Sequence, residues 1–285
     1  MRQPTIEWQV IGSCNYSCSY CIQSPAHRKG APDAAAIDAF LSFFSRLPGG
    51  FEIKMSGGEP FTHPTFLEGI VGRLMSETPH RVSVLTNLSA SRERLARFAR
   101  LTRGRLGVVS ASLHLESVTP DEFINHALYF KGLLSSDVRL VINTVLVPGR
   151  LDRIARAAEQ VRAAGLQLFP QLMKTKTGVA IYPEAERPLL ALLLGDNPGP
   201  RQANLAPSYR GRRCHAGVEY FVVSQNGDVW SCRTAKRHGE GRLGNVLAGD
   251  VRPADGPRPC PWDICPCTVP ANRGMIEGIG EEHRA

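Results

Sequence analysis

Short apolar runs alternate with amphipathic helical patterns over most of the first 173 residues, and this alternation constrains the possible folds most strongly. The predicted strands are Ile6–Ile11, Phe51–Met55, Arg81–Leu85, Leu106–Leu113, Val138–Val147 and Leu166–Leu172. The predicted helices lie near 34–47, 65–77, 91–102, 119–134 and 151–164. Strands separated by helices of this length form parallel βαβ units. We therefore predict an α/β fold, a partial (β/α)6 TIM-like barrel rather than a closed eightfold one.

Unusual segments follow three of these strands directly. Gly12–Cys21 comes after the first strand, Ser56–Pro60 after the second, and Thr86-Asn87 after the third. Functional groups of βα barrels lie at the C-terminal ends of the strands. We therefore expect these three segments to meet in one site.

Eight cysteines form an early group and a late group. The early group is Cys14, Cys18 and Cys21, and the late group is Cys214, Cys232, Cys260, Cys265 and Cys267. No signal-peptide core is visible, and no apolar run approaches the roughly 18 residues of a membrane helix. We therefore expect a cytoplasmic protein without a membrane partner. In that compartment the tight grouping favours metal ligation over disulfides.

The net charge of +8 indicates a basic surface. Such a surface suits nucleic acid, a phosphorylated substrate or an acidic electron-donor protein. No basic run with interleaved aromatic residues is present, so we do not expect nucleic acid as a partner.

The early cysteines are spaced for an open iron–sulfur cluster. Three thiolates on one loop can bind three irons of a cubane and leave the fourth iron free for a cofactor. A zinc site is the alternative, and its nearest further ligand would be His27. The motif Cys14-x-x-x-Cys18-x-x-Cys21, with Tyr20 before the third cysteine, resembles the signature of the radical S-adenosylmethionine superfamily.

The stretch Gly57-Gly58-Glu59-Pro60 resembles the second motif of that family, which contacts the methionine amino group. Paired glycines let the backbone approach a ligand closely, and a carboxylate can pair with an ammonium. The resemblance implies a catalytic [4Fe-4S] cluster, S-adenosylmethionine as cofactor, and a 5′-deoxyadenosyl radical that takes a hydrogen atom from an unactivated C–H bond.

Other cofactor contacts implied by the resemblance lie at or near later strand ends. The candidates for the methionine carboxylate and the ribose are Thr86, Asn87, Ser110, Ser112 and Asn143, and Met173 is the candidate facing adenine. Each polar candidate could equally make an ordinary hydrogen bond at a strand end. His114 and Glu116 are candidates for the substrate pocket.

The late cysteines surround a predicted hairpin. Glu219–Ser224 and Val229–Cys232 are strands joined through Asn226-Gly227, a pair that favours tight turns. The pattern Cys214-x12-Gly227-x4-Cys232 resembles the opening of the SPASM or twitch auxiliary-cluster extension. The resemblance implies a second [4Fe-4S] cluster, completed from Cys260, Cys265 and Cys267. The unusual last spacing leaves open which four of the five ligate, and zinc is an alternative here too.

These interpretations divide the chain into three parts. We predict a radical S-adenosylmethionine barrel over 1–180, a connecting segment over 181–213, and a small twitch-like domain over 214–285.

The fifth late cysteine bears on the reaction. It could be a spare buried residue, or it could return a hydrogen atom to a substrate radical, which would make the protein an epimerase. If the auxiliary cluster instead accepts an electron, the protein is a dehydrogenase that oxidises an alcohol. The resemblance implies a sugar or aminocyclitol substrate in antibiotic or other natural-product biosynthesis, and an electron donor such as flavodoxin or ferredoxin. Peptide maturation is a third possibility.

Overall fold

A computed structural model describes residues 2–23, 28–175, 178–195, 208–263, 265 and 267–279. The strands are β1 Thr5–Ile11, β2 Glu52–Gly57, β3 Arg81–Thr86, β4 Leu106–Ser112, β5 Arg139–Leu146, β6 Gln167–Leu172, β7 Lys174–Thr175, β8 Gly178–Val179, β9 Arg213–Cys214, β10 Tyr220–Val223, β11 Asp228–Trp230, β12 Arg242–Asn245 and β13 Arg258–Pro259. The α-helices are α1 Ala34–Ser45, α2 Arg73–Glu77, α3 Arg92–Leu101, α4 Pro120–Lys131, α5 Leu151–Ala163, α6 Arg187–Gly195, α7 Arg233–His238 and α8 Thr268–Asn272. Short 3₁₀ turns cover Pro60–Thr62 and Glu184–Glu186, and a π-helical turn covers Phe66–Gly72.

The main sheet has the order β12-β11-β10-β1-β2-β3-β4-β5-β6. Strands β1 to β6 pair in parallel in chain order, each with its successor. The predicted α/β class with a parallel, partial-barrel sheet is confirmed. The helix predicted near 65–77 consists of the π-helical turn followed by α2.

The two faces of the sheet differ in chemistry. Along β1, Ile6, Trp8 and Val10 are fully buried and belong to the main apolar core. The Trp8 ring lies 5.1 Å from the ring of Phe40 in α1. Successive side chains point to opposite faces of a strand, so Glu7 lies on the other, inner face. The helices therefore cover an apolar face, and the inner face is free to carry polar groups.

The predicted hairpin forms and joins this same sheet. Strands β10 and β11 pair antiparallel, and Gly227 in their turn has a φ of 88°, which favours glycine. Strand β10 also pairs in parallel with β1, with Tyr220 opposite Thr5. The hairpin thus extends the barrel sheet at its β1 edge. The domain boundary at 213/214 stays a prediction.

The C-terminal segment returns to the first strands. Gln3 donates its backbone N–H to the carbonyl oxygen of Arg273 over 3.2 Å, and the Arg273 guanidinium pairs with Glu52 at 2.6 Å. Across the described ranges, no helix has the length and apolarity needed to cross a membrane.

Candidate active site

The early cysteines occupy one loop at the C-terminal end of β1. Cys18 is buried, whereas Cys14 and Cys21 are exposed. The Cys21 N–H donates to the Cys18 carbonyl oxygen over 3.2 Å, and the Tyr16 N–H donates to the Cys14 Sγ over 3.4 Å. Burial raises the pKa of both Cys14 and Cys18, and the nearby carboxylates of Glu59 and Glu116, respectively, add to these shifts. The three thiols therefore lie on one short loop, as ligands of one cluster can.

Two glycines let the end of β2 press against this loop. Gly57 has a φ of 149°, and a Cβ there would collide with the Ile11 carbonyl oxygen. A Cβ at Gly58 would collide with the carbonyl oxygen of Ser13. The Glu59 N–H donates to that same Ser13 oxygen over 3.0 Å. Side chains larger than hydrogen at 57 and 58 would push the cysteine loop away from β2.

Glu59 is only 1% exposed, and its carboxylate is surrounded by protein donors. Its Oε1 accepts from the Phe61 N–H at 3.1 Å and from the Thr86 hydroxyl at 2.8 Å, and its Oε2 accepts from the Asn87 N–H at 2.6 Å. Burial raises the pKa of Glu59 to about 7. The carboxylate therefore joins the ends of β2 and β3 and has protein partners where the motif predicted the cofactor ammonium.

The segment after β3 reaches the cysteine loop. The Asn87 side-chain amide donates to Asn15 Oδ1 over 3.0 Å, next to Cys14. Asn15 in turn donates to the Ser89 hydroxyl over 2.9 Å. Of the two residues predicted from the sequence, Asn87 contacts the cysteine loop directly, and Thr86 bonds to Glu59.

The later candidates lie along the inner side of the sheet. Ser112 stands opposite Asn143 in the β4–β5 register, and both are half-buried. Asn143 Oδ1 accepts from the Gln171 amide over 3.0 Å, an ordinary inter-strand contact. Ser110 lies two residues before Ser112 on the same face. Met173 follows β6, and its N–H donates to the Tyr182 hydroxyl over 3.0 Å.

Groups from β4 and β5 hold the second half of the cysteine loop. Glu116 accepts from the Ser19 N–H at 2.7 Å and from the Ser19 hydroxyl at 2.5 Å, and it pairs with Arg150. These Ser19 hydrogen bonds lower the pKa of Glu116 to about 2. The Tyr20 hydroxyl lies 3.0 Å from His114 Nδ1. Glu116, a candidate for the substrate pocket, thus contacts the cysteine loop, and its role in the pocket stays a prediction. Arg150 carries no sequence signal beyond its position after β5.

The late cysteines lie on separate segments around the hairpin and the C-terminal part of the chain. Strand β9 pairs with β13 so that Cys214 lies opposite Arg258, and the Cys260 N–H donates to the Arg212 carbonyl oxygen over 2.8 Å. Cys232 caps α7, accepting from the Ala235 N–H over 3.2 Å. Burial, followed by the fields of Cys267, Cys232, Cys260 and Cys214, raises the pKa of Cys265. Cys260 and Cys265 share one buried cluster, and Cys214 packs against it.

Cys267 differs from the other late cysteines in its polar contacts. Its Sγ lies 3.6 Å from Glu7 Oε1 and 3.8 Å from the Tyr220 hydroxyl, both on the inner face of the sheet. Glu7 itself accepts from the Tyr220 hydroxyl and pairs with Arg233. This thiol therefore faces the interior of the partial barrel.

Neither cysteine group resembles a single-ion site. Among the described residues, no three Cys, His, Asp or Glu side chains converge on one metal ion. Ligands of a cubane cluster attach to different irons and need not converge in this way. His27, the alternative zinc ligand, lies outside the described residues.

A family comparison agrees with this site. The family profile of the Radical SAM superfamily matches residues 8–181, which include most of β1, all of β2 to β6 and the early cysteines. The chain therefore belongs to the radical SAM superfamily. Enzymes of this family use S-adenosylmethionine and a [4Fe-4S] cluster.

Similar proteins of known structure share the fold. Streptococcus suis SuiB bound to the precursor peptide SuiA has a TM-score of 0.64 at 16% identity, over 87% of this chain and 63% of SuiB. The structure of anSMEcpe with bound AdoMet has a TM-score of 0.61 at 16% identity, over 86% of this chain and 78% of that chain. A curated relative, the GTP 3′,8-cyclase of Haemophilus ducreyi, is 26% identical over 127 residues, 43% of this chain and 36% of the cyclase.

Proposed function

We propose that this radical SAM enzyme epimerises a sugar or aminocyclitol unit of a small molecule, with Cys267 as the hydrogen-atom donor. The observation that carries the proposal is the position of the Cys267 thiol, 3.6 Å from Glu7 on the inner face of the sheet. In an epimerase, the hydrogen-atom donor must reach the substrate from the side opposite to the 5′-deoxyadenosyl radical. Cys267 comes from the C-terminal segment, whereas the early cysteines follow β1.

The residues of the cysteine loop fit the cofactors of the family. Cys14, Cys18 and Cys21 would hold the catalytic cluster, and Gly57 and Gly58 keep the β2 backbone against their loop. When bound, the cluster and S-adenosylmethionine supply the 5′-deoxyadenosyl radical. Glu59 positions the β2 and β3 ends, so we propose that the cofactor amino group is met by backbone atoms of Gly57–Pro60. Thr86, Asn87, Ser112 and Asn143 remain candidates for its carboxylate and ribose, and Met173 for its adenine.

The inner face suits a substrate rich in hydroxyl groups. Ser110 offers a half-buried hydroxyl on β4, and Gln171 a half-buried amide on β6. Such groups can donate to and accept from a polyol with good geometry.

In the proposed reaction, Cys267 gives one hydrogen atom to the substrate radical. After a substrate C–H hydrogen has been taken, the Cys267 S–H bond breaks and a new C–H bond forms on the opposite face. The sulfur radical left behind needs one electron and one proton to return to the thiol. We propose that a flavodoxin or ferredoxin supplies the electron, and that the reaction takes place in the reducing cytoplasm, where thiolate ligands persist.

A dehydrogenase is the second candidate, and one observation favours it. The Cys265 thiol lies 3.8 Å from the Cys267 carbonyl oxygen, which brings Cys267 close to the proposed auxiliary cluster. Cys267 could then be the fourth ligand of the auxiliary cluster, and the cluster would accept the electron of a ketyl-like radical.

Product mass in deuterated water separates the two reactions. With a panel of sugars and aminocyclitol glycosides, epimerisation adds one deuterium without net oxidation, while dehydrogenation removes two hydrogens.

The Cys267→Ala variant should keep full iron and still form 5′-deoxyadenosine, yet give no epimer. The matched Cys260→Ala variant should lose the iron of the auxiliary cluster. Loss of iron in Cys267→Ala, or epimer formation at the wild-type rate, would overturn the donor assignment.

A further inference from the structure

The inner face of the sheet carries more positive charge than its carboxylates neutralise. Glu7 and Lys54 stand opposite each other in the β1–β2 register. The Glu7 carboxylate is already engaged by Arg233 and by the Tyr220 hydroxyl. Within the described part of the chain, the Lys54 ammonium makes no ion pair, and burial lowers its pKa.

A second ammonium lies one layer further along β1. Lys236 of α7 donates to Gln9 Oε1 over 2.5 Å and to the Ser224 hydroxyl over 2.7 Å, both neutral oxygens. Gln9 follows Glu7 on the same face of β1, so the two layers are roughly 7 Å apart along the strand. Asp228, the acid whose field acts on Lys236, is itself paired with Arg242 at 2.9 Å.

The proposed auxiliary cluster accounts for a different pair of cations. Lys174 and Arg237 both have Cys265, a proposed ligand of the auxiliary cluster, among their charged neighbours, so its thiolate would balance them. The charged neighbours that act on the pKa of Lys54 are Glu7, Arg273, Glu52 and Cys267. Those that act on the pKa of Lys236 are Arg233 and Asp228. Partly buried ammonium groups are costly unless an anion compensates them.

We propose that Lys54 and Lys236 form an oxyanion subsite inside the partial barrel, which holds a phosphate or carboxylate group of the substrate next to Cys267. This inference rests on the proposed function, because it takes the barrel interior as the substrate site. It narrows the substrate class from a neutral sugar unit to one that carries an anionic group. Lysine binds such groups as a point charge.

Equilibrium dialysis of the reconstituted holoenzyme against labelled inorganic phosphate, and separately against acetate, tests the subsite at low ionic strength. The wild type should bind at least one anion, and Lys54→Gln and Lys236→Gln should each weaken that binding about tenfold, the loss of one charge-assisted bond. Lys131→Gln, which removes an exposed ammonium bound to the Gly165 carbonyl oxygen, should bind like the wild type. Preference for phosphate identifies a phosphorylated substrate, and preference for acetate a carboxylated one.

Three results would overturn the inference. The wild type could bind neither anion, the lysine variants could bind as tightly as the control, or they could lose the iron of the auxiliary cluster, which would assign the lysines to the cluster. Cleavage of S-adenosylmethionine by the wild type is measured in parallel. A wild type that cleaves the cofactor but binds no anion contradicts only the subsite. Anion binding through these lysines without cofactor cleavage contradicts only the proposed function.

Discussion

At the scale of single residues, Glu59 shows how a motif residue can act through the protein rather than on a ligand. Its carboxylate accepts three hydrogen bonds, from Phe61, Thr86 and Asn87, and is almost fully buried. Removing it would leave these donors without partners at the point where β2 and β3 approach the cysteine loop. Glu59 is therefore a positioning residue, and its replacement should first lower the free energy of unfolding.

The raised pKa of Glu59 predicts a pH dependence of stability. Because its pKa is about 7 in the folded protein and 4.5 for an unperturbed glutamate, the folded state holds the proton more tightly. Stability should therefore fall as pH rises from 4.5 through 7, by on the order of 3 kcal/mol. Denaturant unfolding of the apoprotein across this range should show a smaller slope in Glu59→Gln than in the wild type. Glu240→Gln, which removes an exposed carboxylate, should keep the wild-type slope, and equal slopes in all three proteins would contradict this account.

At the scale of elements, the sequence predicts β1 to β6 well because each strand has its own apolar pattern. Ile6, Trp8 and Val10 alternate with polar residues, and this period of two is visible without knowing the fold. The pairing of β10 with β1 is different, since nothing local in Tyr220–Val223 specifies a partner more than 200 residues earlier. The same limit hides Arg150, whose role depends on a contact between two separate loops.

The contact between Glu116, Ser19 and Arg150 predicts how firmly the cysteine loop is held. Glu116→Gln removes the ion pair with Arg150 and weakens the bonds to Ser19, which lies between two cluster cysteines. The rate of iron loss from the early cluster to a chelator should rise about tenfold, as expected for one charge-assisted bond. Glu159→Gln, an exposed change on α5, should lose iron at the wild-type rate. An unchanged rate in Glu116→Gln would show that the contact does not support the loop.

At the scale of the whole molecule, the C-terminal segment returns to the strands that begin the barrel. Arg273 pairs with Glu52, and Cys267 reaches Glu7 on the inner face. The early cysteines follow β1 of the main sheet, whereas Cys214 lies on the separate β9–β13 pair. The sequence predicted both groups from spacing, but their relation to the barrel interior depends on the β1–β10 pairing.

The central claim is that Cys14, Cys18 and Cys21 hold the cluster that cleaves S-adenosylmethionine. It is tested most directly by measuring iron content and 5′-deoxyadenosine formation in the anaerobically reconstituted wild type and in the triple variant Cys14→Ala, Cys18→Ala, Cys21→Ala. The wild type should carry about eight irons and cleave the cofactor on reduction, and the triple variant should keep about four irons and form no 5′-deoxyadenosine. Cofactor cleavage retained in the triple variant would contradict the claim.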